Sequence, residues 1–148
     1  MQIEVSRQIN APLEQVFEVF TDLPNAPDRI TGIVSVEMLT DGPMAEGTRW
    51  KETRKMMGKE ATETMWITTF DPPNRYVAEA ESCGTHYISI LSFEPNDGGT
   101  SVTMSFEGKP LTLVAKLFSL PMGFLMKGML RKMVAKDLED QKAYCESR

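Results

Sequence analysis

From residue 33 to residue 107 the sequence is strand and turn repeated: "IVSVEML", "DGPMAEG", "TRWKETRKM", "MGKE", "ATETMWITTF", "DPPN", "RYVAEAES", "CG", "THYISILSFE", "PNDGG" and "TSVTMSFE". Parallel strands need a crossover of a dozen or more residues, whereas the Gly, Pro, Asn and Asp punctuation here leaves only short connections. Six strands in a row must therefore form an antiparallel meander. A seventh precedes them, because residues 2–9 alternate, with Ile3, Val5 and Ile9 on one side and Gln2, Glu4, Ser6 and Gln8 on the other.

Such a sheet has one greasy face, and only one long helix is available to cover it. Over residues 122–147 the spacing is helical: Met126, Leu130, Val134 and Leu138 lie four apart, with Met122, Leu125, Met129 and Met133 beside them. Near the start, "NAPLEQVFEVFTDLP" puts Leu13, Val16, Phe17 and Phe20 on one stripe, with Pro12 suited to a first turn and Pro24 closing the segment. "PNAPDRITG" has room for one more helical turn before Gly32. The expected fold is α+β: a helix-grip arrangement in which a seven-stranded antiparallel sheet wraps a long C-terminal helix. Two short N-terminal helices close one end. At 148 residues the chain is expected to be a single domain over 1–148.

A net charge of −5 repels phosphate backbones, so nucleic acid is not an expected partner. Lys127, Arg131, Lys132 and Lys136 cluster late in the chain but read as the solvated face of the last helix. The N-terminal residues interleave charge with apolar side chains and lack the block of a signal peptide, so a cytoplasmic location is expected. Cys83 and Cys145 are too few for a disulfide framework and no metal-ligand spacing accompanies them; neither metal nor cofactor is expected. The apolar stretch over residues 111–126 is interrupted by Lys116 and Pro121 and is too short for a transmembrane segment. It leaves transient contact with a membrane open.

Strand parity then sorts side chains into two faces. Gly58 marks a tight turn, so residues 48–57 and 59–70 pair as a hairpin. One face carries Trp50, Glu52, Arg54 and Met56 with Ala61, Glu63, Met65 and Ile67; being the more apolar, it is placed inside. Trp66 fits least well on the opposite face. Around "CG", Tyr76, Ala78 and Ala80 share the interior with Tyr87, Ser89, Leu91 and Phe93, joined by Val102, Met104 and Phe106 if "PNDG" is a four-residue loop. The lone histidine, His86, falls outside, across from Glu81.

Two glutamates and an arginine thus point to the apolar side of one hairpin, where Arg54 is expected opposite or diagonal to Glu63. Buried charges are tolerated mainly when paired and hydrogen-bonded. Either Glu63 and Arg54 satisfy one another, or a wet or ligand-filled cavity solvates the group and leaves one of them to orient a polar ligand end. Eleven methionines suit an irregular pocket and ordinary core filling alike. Small inward Ala78, Ala80 and Ser89 leave room beneath the long helix.

The whole pattern resembles the START-like (SRPBCC) superfamily, polyketide cyclase/dehydratase-like group. The resemblance is carried by "INAPLEQVFEVFTDLPN", "GTRWKETRKMMGKEATETMWITTFDPPNRY" and "FEPNDGGTSVTMSFEGKP" in that order. It implies a deep hydrophobic tunnel between sheet and C-terminal helix, here lined by Trp50, Glu52, Met65, Tyr87, Met104 and Phe106 with Met126, Met129 and Met133. Arg54, Glu63 and Leu91 complete the candidate ligand site. The fold hosts many activities, so three readings stay open. One is carriage of a small hydrophobic molecule such as a lipid, isoprenoid or polyketide-like compound. Another is a cyclase or dehydratase with Glu52 as general acid or base and Tyr87 or Arg54 stabilising an enolate. The third is an adaptor that meets a partner protein through its sheet or residues 111–126.

Overall fold

Left-handed turn residues set the register of the sheet. The computed structural model describes residues 2–148 other than 57 and 83, with residues 114–126 described in backbone only. In chain order the elements are β1 (Gln2–Ile9), α1 (Leu13–Thr21), a 3-10 turn (Leu23–Asn25), α2 (Ala26–Arg29), β2 (Ile33–Met38), β3 (Arg49–Met56), β4 (Lys59–Asp71), β5 (Arg75–Ser82), β6 (Thr85–Asn96), β7 (Gly99–Pro110) and α3 (Leu113–Glu146). Asp97 and Gly98 both have positive φ, 49° and 79°, the requirement of a two-residue type I′ turn. That turn sets Asn96 opposite Gly99. The loop is two residues shorter than the four-residue "PNDG" expected, and because the difference is even, parity survives: Val102, Met104 and Phe106 lie opposite Phe93, Leu91 and Ser89.

The strands form one antiparallel sheet in the order β1-β7-β6-β5-β4-β3-β2, so the meander is intact and β1 closes its far side on β7. Helix α3 lies along the concave face, as the helix-grip expectation requires, and buries Leu130, Val134, Leu138 and Cys145. Lys127, Arg131, Lys132 and Lys136 are exposed on its other side. Helix α1 plugs one end of the concavity. There Phe17 sits 5.7 Å from Phe70, 6.2 Å from Tyr76 and 5.2 Å from Phe93, and Phe20 packs edge-on to Phe93 at 5.2 Å. Each such fully buried large side chain contributes about 1.5–3 kcal/mol.

Two features depart from the sequence reading, and a third settles a choice it left open. Helix α3 begins at Leu113 rather than residue 122, since Pro121 deprives the helix of one N–H donor without ending it. A β-bulge between Ile67 and Thr69 inserts one residue into β4, so that inward-facing positions change from odd to even and Phe70 joins the aromatic cluster opposite Tyr76. The hairpin register puts Glu52 opposite Glu63 and Arg54 opposite Ala61, so Arg54 is diagonal to Glu63. The outer face is as read: Trp66 is half-buried there, edge-on to His86 at 6.1 Å and under the Arg49 guanidinium at 5.2 Å.

Buried Arg29 ties the short helices to α3. Its Nε donates to Gln141 Oε1 at 3.1 Å and one Nη to the carbonyls of Val19 and Asp22, at 2.8 and 2.7 Å.

Candidate functional site

Between the hairpin face of the sheet and the middle of α3 lies a void of about 260 Å³. Strand β3 supplies Glu52, Arg54 and Met56, and β4 supplies Ala61, Glu63 and Met65. Tyr87 and Ser89 come from β6, Met104 and Phe106 from β7, and Leu130, Met133, Val134 and Asp137 from α3. A second void of about 110 Å³ continues toward the N-terminal helices, where Phe20, Ile30, Trp50, Tyr76 and Leu91 are among its walls. Glu52, Arg54, Met65, Ser89, Met104 and Asp137 border both.

An ion cluster therefore stands at the junction of two largely apolar compartments. Arg54 Nε donates to Glu52 Oε2 at 2.8 Å, and its two terminal nitrogens reach Asp137, Nη1 to Oδ1 at 3.3 Å and Nη2 to Oδ2 at 2.5 Å. A two-pronged guanidinium–carboxylate pair of this kind is geometrically demanding and among the stronger hydrogen-bonded arrangements. Trp50 Nε1 approaches the other Glu52 oxygen at 3.5 Å. The Arg54, Glu52 and Asp137 side chains are 18%, 12% and 13% exposed, so little water screens them.

The electrostatics follow from three carboxylates facing one guanidinium. Burial by itself would lower the Arg54 value, but Asp137 and Glu52 outweigh it and hold the guanidinium firmly charged. Burial raises the Asp137 carboxyl above the usual range even though Arg54 pulls the other way. Glu63 is raised too, by burial first and then by the Glu52 carboxylate directly opposite, against the opposing pull of Arg54 and a hydrogen bond with Ser82. Tyr87 stacks on Phe106 at 5.4 Å and forms an aromatic wall above Ser89 and Met104.

Of the candidate residues, the structure gathers Glu52, Arg54, Glu63, Met65, Tyr87, Met104, Phe106 and Met133 around the larger void, and Trp50 and Leu91 around the smaller. Met129 is half-buried on α3 and borders neither. Met126 lies outside the residues whose side chains are described, as does most of the 111–126 stretch; Cys83 lies outside the described residues altogether. Self-pairing of Glu63 with Arg54, one of the two readings left open, gives way to pairs of Arg54 with Glu52 and with Asp137, a residue the sequence reading passed over. A signal was available. Asp137 falls seven residues after Leu130 on the same helical stripe, an acid at a core position facing the one inward cation of the hairpin.

Sheet, helix and internal voids together define the START-like helix-grip class. The chain belongs to the family described as polyketide cyclase / dehydrase and lipid transport, whose pattern it matches over residues 1–146. No curated protein matches it. Among solved structures, TTHA0849 from Thermus thermophilus is similar with a TM-score of 0.81 at 21% identity, covering 97% of this chain and 95% of that one. The di-domain ARO/CYC BexL from the BE-7585A biosynthetic pathway gives 0.81 at 16% identity, with all of this chain spanning 50% of that one. A START superfamily protein from Mycobacterium smegmatis gives 0.73 at 13% identity, over 99% and 97% of the two chains. At these identities the likeness is one of fold.

Proposed function

We propose that the protein binds and carries a small, mostly apolar molecule in the space between sheet and α3, with the Glu52, Arg54, Glu63 and Asp137 cluster meeting its polar end. One observation carries this reading: among the described residues the void has apolar walls at Met65, Met104, Phe106, Met133 and Val134 and one charged margin, the division expected of a site that orients an amphiphile. The family's description includes lipid transport, which supports it. Among the described residues no helix is long and apolar enough to cross a membrane. Native mass spectrometry of the protein purified from cells, followed by solvent extraction, is expected to reveal a co-purifying apolar compound. Empty spectra, together with no thermal shift across a panel of lipids, isoprenoids and aromatic polyketides, would contradict it.

A cyclase or dehydratase is the second reading, favoured by the family's description and by Glu52 and Tyr87 sharing one wall of the void. Arg54, committed to two carboxylates, is the weakest of the three proposed catalytic groups. Glu52→Gln is expected to abolish turnover of a polyketide-like substrate while preserving its binding; unchanged turnover removes Glu52 from the chemistry.

A further inference from the structure

Glu52 and Glu63 stand directly opposite one another across the β3–β4 ladder, both on the wall of the larger void. Like charges in that relation destabilise a sheet. The nearby cation does not bridge them: three of Arg54's N–H groups go to Glu52 and Asp137 on the side toward α3. Arg54 is thus flanked by two carboxylates and offers little to an incoming anion, while a carboxylate such as Glu63 has about four acceptor positions, of which the Ser82 contact takes one. Resting on the cavity reading above, we infer that the ligand's polar end is a hydrogen-bond donor, preferentially a protonated amine, seated between Glu52 and Glu63, and that carboxylate-headed amphiphiles are rejected.

The charge balance agrees. Three carboxylates against one guanidinium leave an excess of negative charge inside a poorly screened space. The Glu52 carboxylate directly opposite adds to the rise at Glu63 that burial begins, and a positive group seated between the two relieves that repulsion. An ammonium does so and adds donors for both glutamates. A carboxylate would instead bring a fourth negative charge to the same wall.

The test uses three probes with one alkyl chain, octylamine, octanol and octanoate, titrated into the intact protein by calorimetry at physiological salt. Octylamine is expected to bind at least about tenfold more tightly than octanol, and octanoate more weakly than octanol. Glu63→Gln is expected to erase the amine's advantage over octanol. Octanol binding with no preference for the amine, octanoate binding as well as the amine, or an amine preference that survives Glu63→Gln overturns the head-group inference while leaving the cavity reading in place. If none of the three binds, the cavity reading falls and this inference with it.

Discussion

Arg54→Met offers the sharpest energetic test of the buried ion cluster. Methionine keeps a long, flexible apolar side chain in place of the arginine stem but removes the charge that two carboxylates share. At an effective dielectric of about 20, unit charges about 4 Å apart attract by about 4 kcal/mol. Arg54 makes two such contacts, and its own burial offsets part of that attraction. Breaking a buried pair while leaving its partners typically costs 3–5 kcal/mol, and with the three side chains still 12–18% exposed the lower end, about 3 kcal/mol, is expected. For a chain of this size that is a Tm lower by about 6–12 °C.

The loss should depend on pH. Asp137 and Glu63 already lie above the usual carboxylate range, and removing the guanidinium raises them further. A group whose folded value exceeds its unfolded one contributes stability at low pH that disappears as pH rises through the folded value. The deficit of Arg54→Met relative to wild type is therefore largest at pH 7 and smaller at pH 5, where the freed carboxyls take up protons. Urea unfolding at the two pH values measures it, and the triple variant Glu52→Gln, Arg54→Met, Asp137→Leu, which leaves none of those three charges, should recover most of the stability. A deficit under about 1 kcal/mol, or one equally large at both pH values, would refute the assignment of Arg54 as the buried counter-charge.

Filling the void tests it from another direction: Ser89→Leu, at a buried position bordering both compartments, is expected to abolish ligand-induced thermal shifts while moving the unliganded Tm by only a few degrees. Leu138→Ala on α3, with the wild-type leucine 1% exposed, should cost about 2–5 kcal/mol in urea unfolding, since the surrounding core cannot fully collapse. On the outer face His86 Nε2 lies 2.6 Å from Glu79 and Nδ1 3.1 Å from Glu81, and the hydrogen bond to Glu79 leads in raising its value. Its contribution is present in full below the unfolded histidine value and lost as pH rises through the folded one, so His86→Gln should destabilise at pH 6 and be nearly neutral at pH 9. Burial pushes the Cys145 thiol up to about 11; in a Cys83→Ser background it should react slowly with a disulfide reagent at pH 8 until urea exposes it.

Much of this architecture was legible because the period-two signal is local. Gly58, Gly84 and the Asp97–Gly98 turn each fix a hairpin, and parity then carries the inward side chains from Trp50 to Ile67 and from Tyr76 to Phe106 onto one face. The bulge after Ile67 was not legible, since no Gly or Pro marks it and the extra residue is decided by the curvature the sheet needs to meet α1 and α3. The partner of Arg54 was legible only in part, as an acid on the core stripe of the last helix. Local pattern brings Glu52 and Arg54 to one strand face, but which acid completes the pair depends on the rotation of a helix 83 residues away in sequence. Buried Arg29 was missed for the same reason, its acceptors being two carbonyls near the end of α1 and Gln141 of α3.

A crystal structure grown in the presence of octanol bears most directly on the central claim. Continuous density enclosed by Tyr87, Met104 and Met133, with its hydroxyl end toward Glu63, is the predicted result. Density confined to the outer surface, or Met133 and Phe106 closed together over a space that admits nothing, would contradict the claim that this fold keeps an interior site for a guest molecule.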